Sequence, residues 1–309
     1  MKNKSVIGID IGGSKINIGT VSSKGQISNL KKIKSFSDNA NKNKENIVTE
    51  ISNIIKNESK ALKGIGIATA GRIDFKQKKI LYTTDNLKDW SNIDIVNILE
   101  NKFNCPVYID NDVNTALLSE LEFNKFKSNS IIIFLAIGTG LGGALAINGK
   151  IIRGKSGSVG EFGHMTLYPG GKKCNCGKRG CAEQYISGSA YKKNLKNELK
   201  KFNEEDLNIS TIQKNIMAKK EPYISILKTM SHDLALLLDN LKNSLDFDIC
   251  IIGGSFNVYQ DIILKELDNK LKRLKYNYMD DPSIYFTKQN NKAGVVGAGL
   301  MVYKQLSKN

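Results

Sequence analysis

Three cysteines within eight positions, with a histidine ten residues upstream, constrain this chain more than any other feature. The stretch reads Gly160-Glu161-Phe162-Gly163-His164, then nine residues, then Cys174-Asn175-Cys176-Gly177-Lys178-Arg179-Gly180-Cys181-Ala182-Glu183. One His and three Cys make a complete tetrahedral ligand set for Zn²⁺. Gly177 and Gly180 let the backbone turn tightly enough to aim three thiolates at one point. A closed site of this kind is structural: it holds a loop, and here two acids, Glu161 and Glu183, bracket the ligands. The alternative is a disulfide pair or a redox thiol. Disulfides belong to oxidising compartments, and nothing else in the sequence points to one.

A chain of 309 residues with 40% hydrophobic content and 27 glycines can bury a sizeable core in about two domains. The formal charge is +16, which raises the question of nucleic acid. The lysines are scattered, often beside Asn and Ile, as in Asn41-Lys42-Asn43-Lys44, and no aromatic-interleaved basic stripe is present. They read as solvated surface, so no nucleic-acid partner is expected. The excess charge can still help attract an anionic substrate. Met1-Lys2-Asn3-Lys4 runs into a strand-like segment, and no apolar run is long enough to span a bilayer. The expectation is a cytoplasmic protein without membrane contact, with Cys105 and Cys250 as reduced, buried thiols.

Apolar segments Val6–Ile11, Ile16–Val21 and Ile27–Ile33 are separated by glycines and polar residues, which predicts a strand meander. Ile47, Val48, Ile51, Ile54 and Ile55 recur at helical spacing. A short strand Ile65–Ala68 ends in Thr69-Ala70-Gly71. A helix over Ile93–Phe103, a strand over Pro106–Ile109 and a helix over Val113–Phe126 follow. A second strand series starts at Ile131–Ile137 and Ala144–Ile147, and helices dominate 183–246. A strand Ile249–Ile252, a helix, a strand Ile284–Phe286 and a C-terminal helix from about Gly294 complete the chain. Strands with helices between them indicate α/β layers. The meander with its glycine turn occurs near residue 6 and again near residue 131, which suggests two related domains with a cleft between them.

Two glycine turns stand out. Ile9-Asp10-Ile11-Gly12-Gly13-Ser14-Lys15 lies between two strands. Its glycines let backbone N–H groups approach phosphate oxygens, Ser14 and Lys15 can add donors, and Asp10 can hold Mg²⁺ through water. A structural hairpin is the plainer alternative. Gly138-Thr139-Gly140-Leu141-Gly142-Gly143 is a second such turn, and Gly253-Gly254-Ser255 a third glycine pair, weak by itself. Ile109-Asp110-Asn111-Asp112 ends a strand and opens a helix. Asp112 is placed where helix N-terminal N–H groups favour an ionised carboxylate. It can be a general base on a substrate hydroxyl, with Asn111 orienting that substrate, or simply a helix N-cap.

Taken together these pieces resemble the ROK family of sugar kinases and related repressors, over nearly the whole chain. The matching pieces are the Asp10–Lys15 turn, Thr69-Ala70-Gly71, Asn86-Leu87 with Trp90, Asn111-Asp112, Gly138–Gly143, Glu161 with His164, the cysteine cluster with Glu183, and Gly253-Gly254. The resemblance implies an α/β, two-domain actin/hexokinase-like (ribonuclease H-like) ATPase fold with a central cleft. The first domain would comprise 1–117 plus 293–309, and the second 118–292. It implies Asp112 as the catalytic base, Asn111, Glu161, His164 and Glu183 on the sugar hydroxyls, and Gly71 near the sugar through its backbone. ATP would lie against Gly12, Gly13, Ser14, Lys15, Thr139, Gly140, Gly253 and Gly254. Structural Zn²⁺ would be held by His164, Cys174, Cys176 and Cys181. Where many members carry Pro-Gly before Trp90, this chain has Lys88-Asp89.

The implied reaction is ATP-dependent phosphorylation of a sugar C6 hydroxyl, with domain closure excluding water. Gly71-Arg72-Ile73 through Thr84, with Asn86 close by, and Trp90-Ser91-Asn92-Ile93-Asp94 look like N-acetylmannosamine kinases of the family, and N-acetylmannosamine is narrowly preferred over glucose as the expected substrate. A homodimer is expected. The other readings are a sugar-responsive repressor, for which the Asp10 turn leaves no room for a preceding winged helix, and a non-catalytic zinc scaffold.

Overall fold

Val6, Ile7, Ile9 and Ile11 are all fully buried, so the strand that carries them is covered on both faces, as in the middle of an α/β sheet. That strand is β1 (Ser5–Ile11), and β2 (Lys15–Val21) and β3 (Ile27–Lys34) continue from it as the expected meander. The structure, a computed structural model, describes residues 5–58, 61–83, 87–124, 126–199, 201, 203–274, 281–288 and 292–308. Thr84 and Asn86, both expected near the sugar, lie outside the described residues.

Beyond β1 the sheet grows by parallel pairing with β4 (Leu62–Thr69) and then β7 (Val107–Asn111), giving the order β3-β2-β1-β4-β7. A small antiparallel hairpin, β5 (Arg72–Asp74) and β6 (Lys79–Tyr82), follows β4. One face is covered by α1 (Ala40–Glu58) and α2 (Ile95–Phe103). Ile47, Ile51 and Ile54 of α1 are buried at helical spacing in the same core as Ile95, Val96 and Leu99 of α2. α1 begins before the apolar pattern does. Asn43, 1% exposed, bonds both the amide and the carbonyl of Phe36 at 2.8 Å, and so anchors the polar first turns. Asp94 caps α2 by accepting from the Asn97 amide at 3.3 Å.

The other face is covered by α3 (Asp112–Asn124) and α8 (Ala293–Leu306), the latter packing on β1, β2, β4 and α3. The approach of α8 to α3 depends on the lack of a side chain at Gly297, because a Cβ there would collide with the carbonyl of Thr115. Gly297→Val should therefore cost about 1–3 kcal/mol of stability, the usual range for overpacking. A lowered urea midpoint with an unchanged slope would show it, and an unchanged midpoint would mean that α8 slides at no cost.

A second sheet repeats the first. β8 (Ile131–Ile137) pairs antiparallel with β9 (Leu141–Ile147) and parallel with β11 (Ile249–Gly254). With β10 (Lys150–Ile152) and β12 (Ser283–Phe286) the order is β10-β9-β8-β11-β12, the same antiparallel-then-parallel pattern. Its helices are α4 (Gly188–Glu198), α5 (Ile209–Met217), α6 (Tyr223–Leu245) and α7 (Gln260–Leu274), with α6 packed against the other three.

Residues 1–127, 151–159 and 289–309 form one compact unit, and 128–150 with 160–288 form another. The boundary expected at 117 falls inside α3, which is one unbroken helix. The division comes after it, and a nine-residue segment from the middle of the chain joins the first unit. Among the described residues no helix is long and apolar enough to cross a membrane.

Candidate active site

In the first unit the pairing of parallel strands decides where chemistry can gather. Ile11 of β1 is level with Thr69 of β4, and Thr69 with Asn111 of β7. The carboxyl ends of three adjacent strands thus bring Asp10, the Thr69–Gly71 turn and Asn111-Asp112 together, at the place where open α/β sheets bind ligands.

Asp10 accepts from Asn17 Nδ2 at 3.2 Å, and Gly294 at the start of α8 lies against its carboxylate. Burial pushes the Asp10 carboxyl above the ordinary range, opposed by the Asn17 bond and the charge of Lys15. The glycine turn after it is closed by the Gly12 amide on the Lys15 carbonyl at 3.0 Å. The Ser35 amide, at the end of β3, holds the Ser14 carbonyl at 3.2 Å. Gly71 has φ 115, a backbone region natural to glycine alone. Its carbonyl accepts from Asn111 Nδ2 at 3.0 Å. Arg72 is exposed.

The α3 N-terminus answers one question the sequence left open. The capping side chain is Asn111, whose Oδ1 accepts from the Val113 amide at 2.9 Å and the Asn114 amide at 3.3 Å. Asp112 is the first residue of the helix, half-buried, with Oδ1 3.0 Å from the Val113 amide. Asp110, one residue earlier, is 2% exposed and paired with Arg153, Nη2 to Oδ2 being 2.6 Å. Neither Asp110 nor Arg153 stood out in the sequence, since 43 residues separate them.

The second unit shows the same logic. Gly254 of β11 is level with Ile137 of β8, so the turns Gly138–Gly140 and Gly253-Gly254 sit side by side at strand ends. The N-terminus of α4 is sewn to the first of them: the Gly188 amide donates to the Gly138 carbonyl at 2.8 Å and Ser189 to Thr139 at 3.2 Å. A pocket opens here, lined by Thr139, Ser189, Ile212, Tyr191, Phe256 and Tyr259 among others. Tyr191, Phe256 and Tyr259 stack edge to face, with centroids 6.1 and 5.6 Å apart. These aromatics escaped the sequence reading because each lies on an otherwise ordinary helical stretch.

The turn Phe162–His164 packs on β9, where Gly163 abuts the Leu141 carbonyl. Glu183 reaches the same strand, its Oε2 accepting from the Leu141 amide at 2.9 Å. Glu161, His164 and Glu183 are therefore brought together around β9, with Glu183 also touching the Gly140 position of the glycine turn. His164 Nε2 is 3.9 Å from Glu161 Oε2.

His164, Cys174, Cys176 and Cys181 place their ligand atoms within 4.8 Å of one another. Cys176 and Cys181 Sγ are 3.6 Å apart, and Cys174 Sγ is 3.7 Å from His164 Nδ1. A tetrahedral zinc site with bonds of about 2.3 Å to sulfur has edges of about 3.7 Å, whereas a disulfide would need about 2.05 Å. For Cys176 burial is the largest single influence and raises the thiol, but the Lys178 amide, the two neighbouring thiols and the Lys178 ammonium together outweigh it and hold the thiol below the ordinary value. Burial and then the crowding of the other two sulfurs push Cys181 up to about 12. Neighbouring thiols cannot readily ionise together without a cation, and a bound divalent ion reverses that balance. The donor set fits zinc.

The sequence signature of the ROK family matches residues 6–305. Over 328 residues the chain is 26% identical to a glucokinase of Halalkalibacterium halodurans, covering 99% of this chain and 97% of that one. It is 33% identical over 213 residues to a xylose repressor of Bacillus spizizenii. That match takes in 69% of this chain and 53% of the repressor, so the chain spans about half the length of that relative. Among solved structures, a ROK glucokinase from Streptomyces griseus in complex with glucose and AMPPNP superposes with a TM-score of 0.81 at 26% identity, covering 97% and 99% of the two chains. The fold is the actin/hexokinase-like fold of the ROK hexokinases.

Proposed function

Since this chain belongs to the ROK family, we propose that it is an ATP-dependent sugar kinase that phosphorylates the C6 hydroxyl of a hexose. The observation that carries this reading is the division of labour at the start of α3. Asn111 caps α3, and Asp112, the first helical residue, holds its carboxylate at the helix start with Oδ1 on the Val113 amide. The helix N-terminus favours its ionised form, the form a general base needs.

In this reading Asp112 takes the proton of the C6 hydroxyl as its oxygen attacks the γ-phosphorus in line, and ADP leaves. In the first unit Asn111, tied to Gly71, supplies a sugar-orienting amide. In the second unit Glu161, His164 and Glu183 supply hydroxyl-binding groups. The Gly12–Lys15 turn and Thr139-Gly140 supply backbone donors to the phosphates, and the aromatic-lined pocket beside Gly253-Gly254 receives the base. Asp10 would hold Mg²⁺, which when bound neutralises phosphate charge. His164, Cys174, Cys176 and Cys181 would hold zinc, whose contribution is to fix the loop that carries the sugar-binding acids.

For the sugar we take glucose ahead of N-acetylmannosamine. The latter expectation rested on Arg72, which is exposed, on Thr84, which lies outside the described residues, and on Trp90–Asp94; the relatives aligned along nearly the whole chain include glucokinases matched over 95% or more of their own length, beside a xylose repressor matched over 79% of its length. Comparing kcat/KM for glucose, mannose, N-acetylglucosamine and N-acetylmannosamine tests this, in the wild type and in Arg72→Ala. Glucose should lead and Arg72→Ala should shift the ratios less than about tenfold. An N-acetylmannosamine preference that collapses in Arg72→Ala would restore the first expectation, because an unpaired polar partner is worth roughly ten- to a hundredfold in selectivity.

The likeness to a xylose repressor favours a second reading, a sugar-responsive regulator. It predicts calorimetric sugar binding with no ATP consumption in the presence of any of these sugars. ATP turnover dependent on a sugar excludes it.

A further inference from the structure

The Asp110 carboxylate divides its two oxygens between two different tasks. Oδ2 accepts from Arg153 Nε at 2.9 Å and Nη2 at 2.6 Å. Oδ1 accepts from the Asn111 amide at 2.8 Å and from Asn114 Nδ2 at 3.1 Å. Asn111 and Asn114 flank Asp112, so both of these Oδ1 bonds go to the helix start that presents the proposed base. Arg153 is itself held in place. Its guanidinium lies 3.8 Å from the Phe75 ring centroid, and Nη1 is 3.4 Å from the Ile151 carbonyl. The segment around it is moored as well: the Val159 amide bonds the Arg153 carbonyl at 3.3 Å, and Gly157 lies against the Ile73 carbonyl of β5.

A forked guanidinium on a nearly fully buried carboxylate is directional in a way that an ammonium is not. A misplacement of about 1 Å in a reacting group costs roughly a hundredfold in rate. We infer that Arg153 and Asp110 are a positioning pair that sets the Asn111-Asp112 turn for proton abstraction. The inference rests on the kinase reading of Asp112. Arg153 acts through Asp110 and touches neither the sugar nor ATP. Residues 151–159 also run directly into Gly160-Glu161, so one short stretch of chain carries the positioning arginine and then the first sugar-binding acid.

The test is a comparison of Arg153→Lys and Arg153→Met with the wild type, by steady-state kinetics and by amide hydrogen exchange. Arg153→Lys keeps the charge and most of the volume, so it preserves the fold and loses only the fork. Its kcat should fall about tenfold and that of Arg153→Met about a hundredfold, with the KM for ATP within about twofold in both, since the glycine turns are not on this pair. Exchange at the amides of Asn111 to Thr115 should quicken several-fold while the β1 and β4 amides stay as they are. Exchange unchanged at 111–115, or a kcat loss that follows only a general fall in melting temperature, overturns the inference. Should the wild type phosphorylate no sugar, the kinase reading falls. The exchange result then decides the pair alone: quickening confined to 111–115 upholds its hold on the turn, and no change removes it.

Discussion

Asp112→Asn should lower kcat by about 10²–10⁴-fold, the range expected for a lost general base, while sugar affinity changes little. The substitution is isosteric. The backbone carbonyl of Asp112 would still accept from Thr115 Oγ1, as it does at 2.8 Å. Asn111 would still cap α3, so the stability lost should be no more than about 1 kcal/mol, the size of the charge–helix interaction. Loss of rate with kept affinity and largely kept stability isolates a group needed only in the transition state. Sugar affinity from calorimetry and kcat from a coupled ATP assay give the two numbers. Near-normal turnover would take Asp112 out of the mechanism.

The second large effect should come from Cys181→Ser. Cys181 is fully buried, and its neighbourhood holds the loop together: the Ala182 amide bonds the Met165 carbonyl at 2.9 Å, and the Leu167 amide bonds Gly180 at 2.8 Å. Bound zinc should fall from one per chain to a trace. Because metal-binding energy in such a site is folding energy, the loss should exceed about 4 kcal/mol, a size characteristic of a removed metal or of comparable core damage. Proteolysis should then cut first between His164 and Glu183. kcat/KM for the sugar should drop by roughly 10–100-fold, as it does when ligands around a metal lose their support, through displacement of Glu161, His164 and Glu183. A wild-type protein that is metal-free by elemental analysis yet equally stable and active would end the zinc assignment.

The parts of this architecture that could be read in advance share one property: their signal is local. The meander 6–33 was legible from alternating apolar segments and glycine turns, and β1 to β3 follow it to within a residue or two. The cluster of His164 with Cys174, Cys176 and Cys181 was legible because residue type and spacing lie within one short stretch. The α1 start was not, since its first turns are Lys- and Asn-rich and are fixed by Asn43 reaching back to Phe36. The hairpin β5–β6 was missed because three- and four-residue strands carry too little pattern. In the site, Asn111 looked like a substrate ligand and Asp112 a possible cap; the hydrogen bonds give the capping to Asn111. The Arg153–Asp110 pair and the pocket aromatics depend on tertiary contacts, which no window of sequence displays.

The passage of the chain through the two units has a consequence for how the protein is made. α8 is synthesised after the whole of residues 128–288, yet it covers β1, β4 and α3. On the ribosome, the strand containing Ile7 and Ile9 must therefore wait with one face uncovered while the second sheet is translated. The usual order, in which the domain begun first is finished first, is inverted: the later-starting unit can close while the earlier one is still incomplete. During that interval the nascent protein exposes the sheet face of Gly8, Gly64 and Gly66, on which α8 packs closely, together with Leu118 of α3. Chaperone demand should accordingly track the translation time of residues 128–292 rather than the stability of the finished fold.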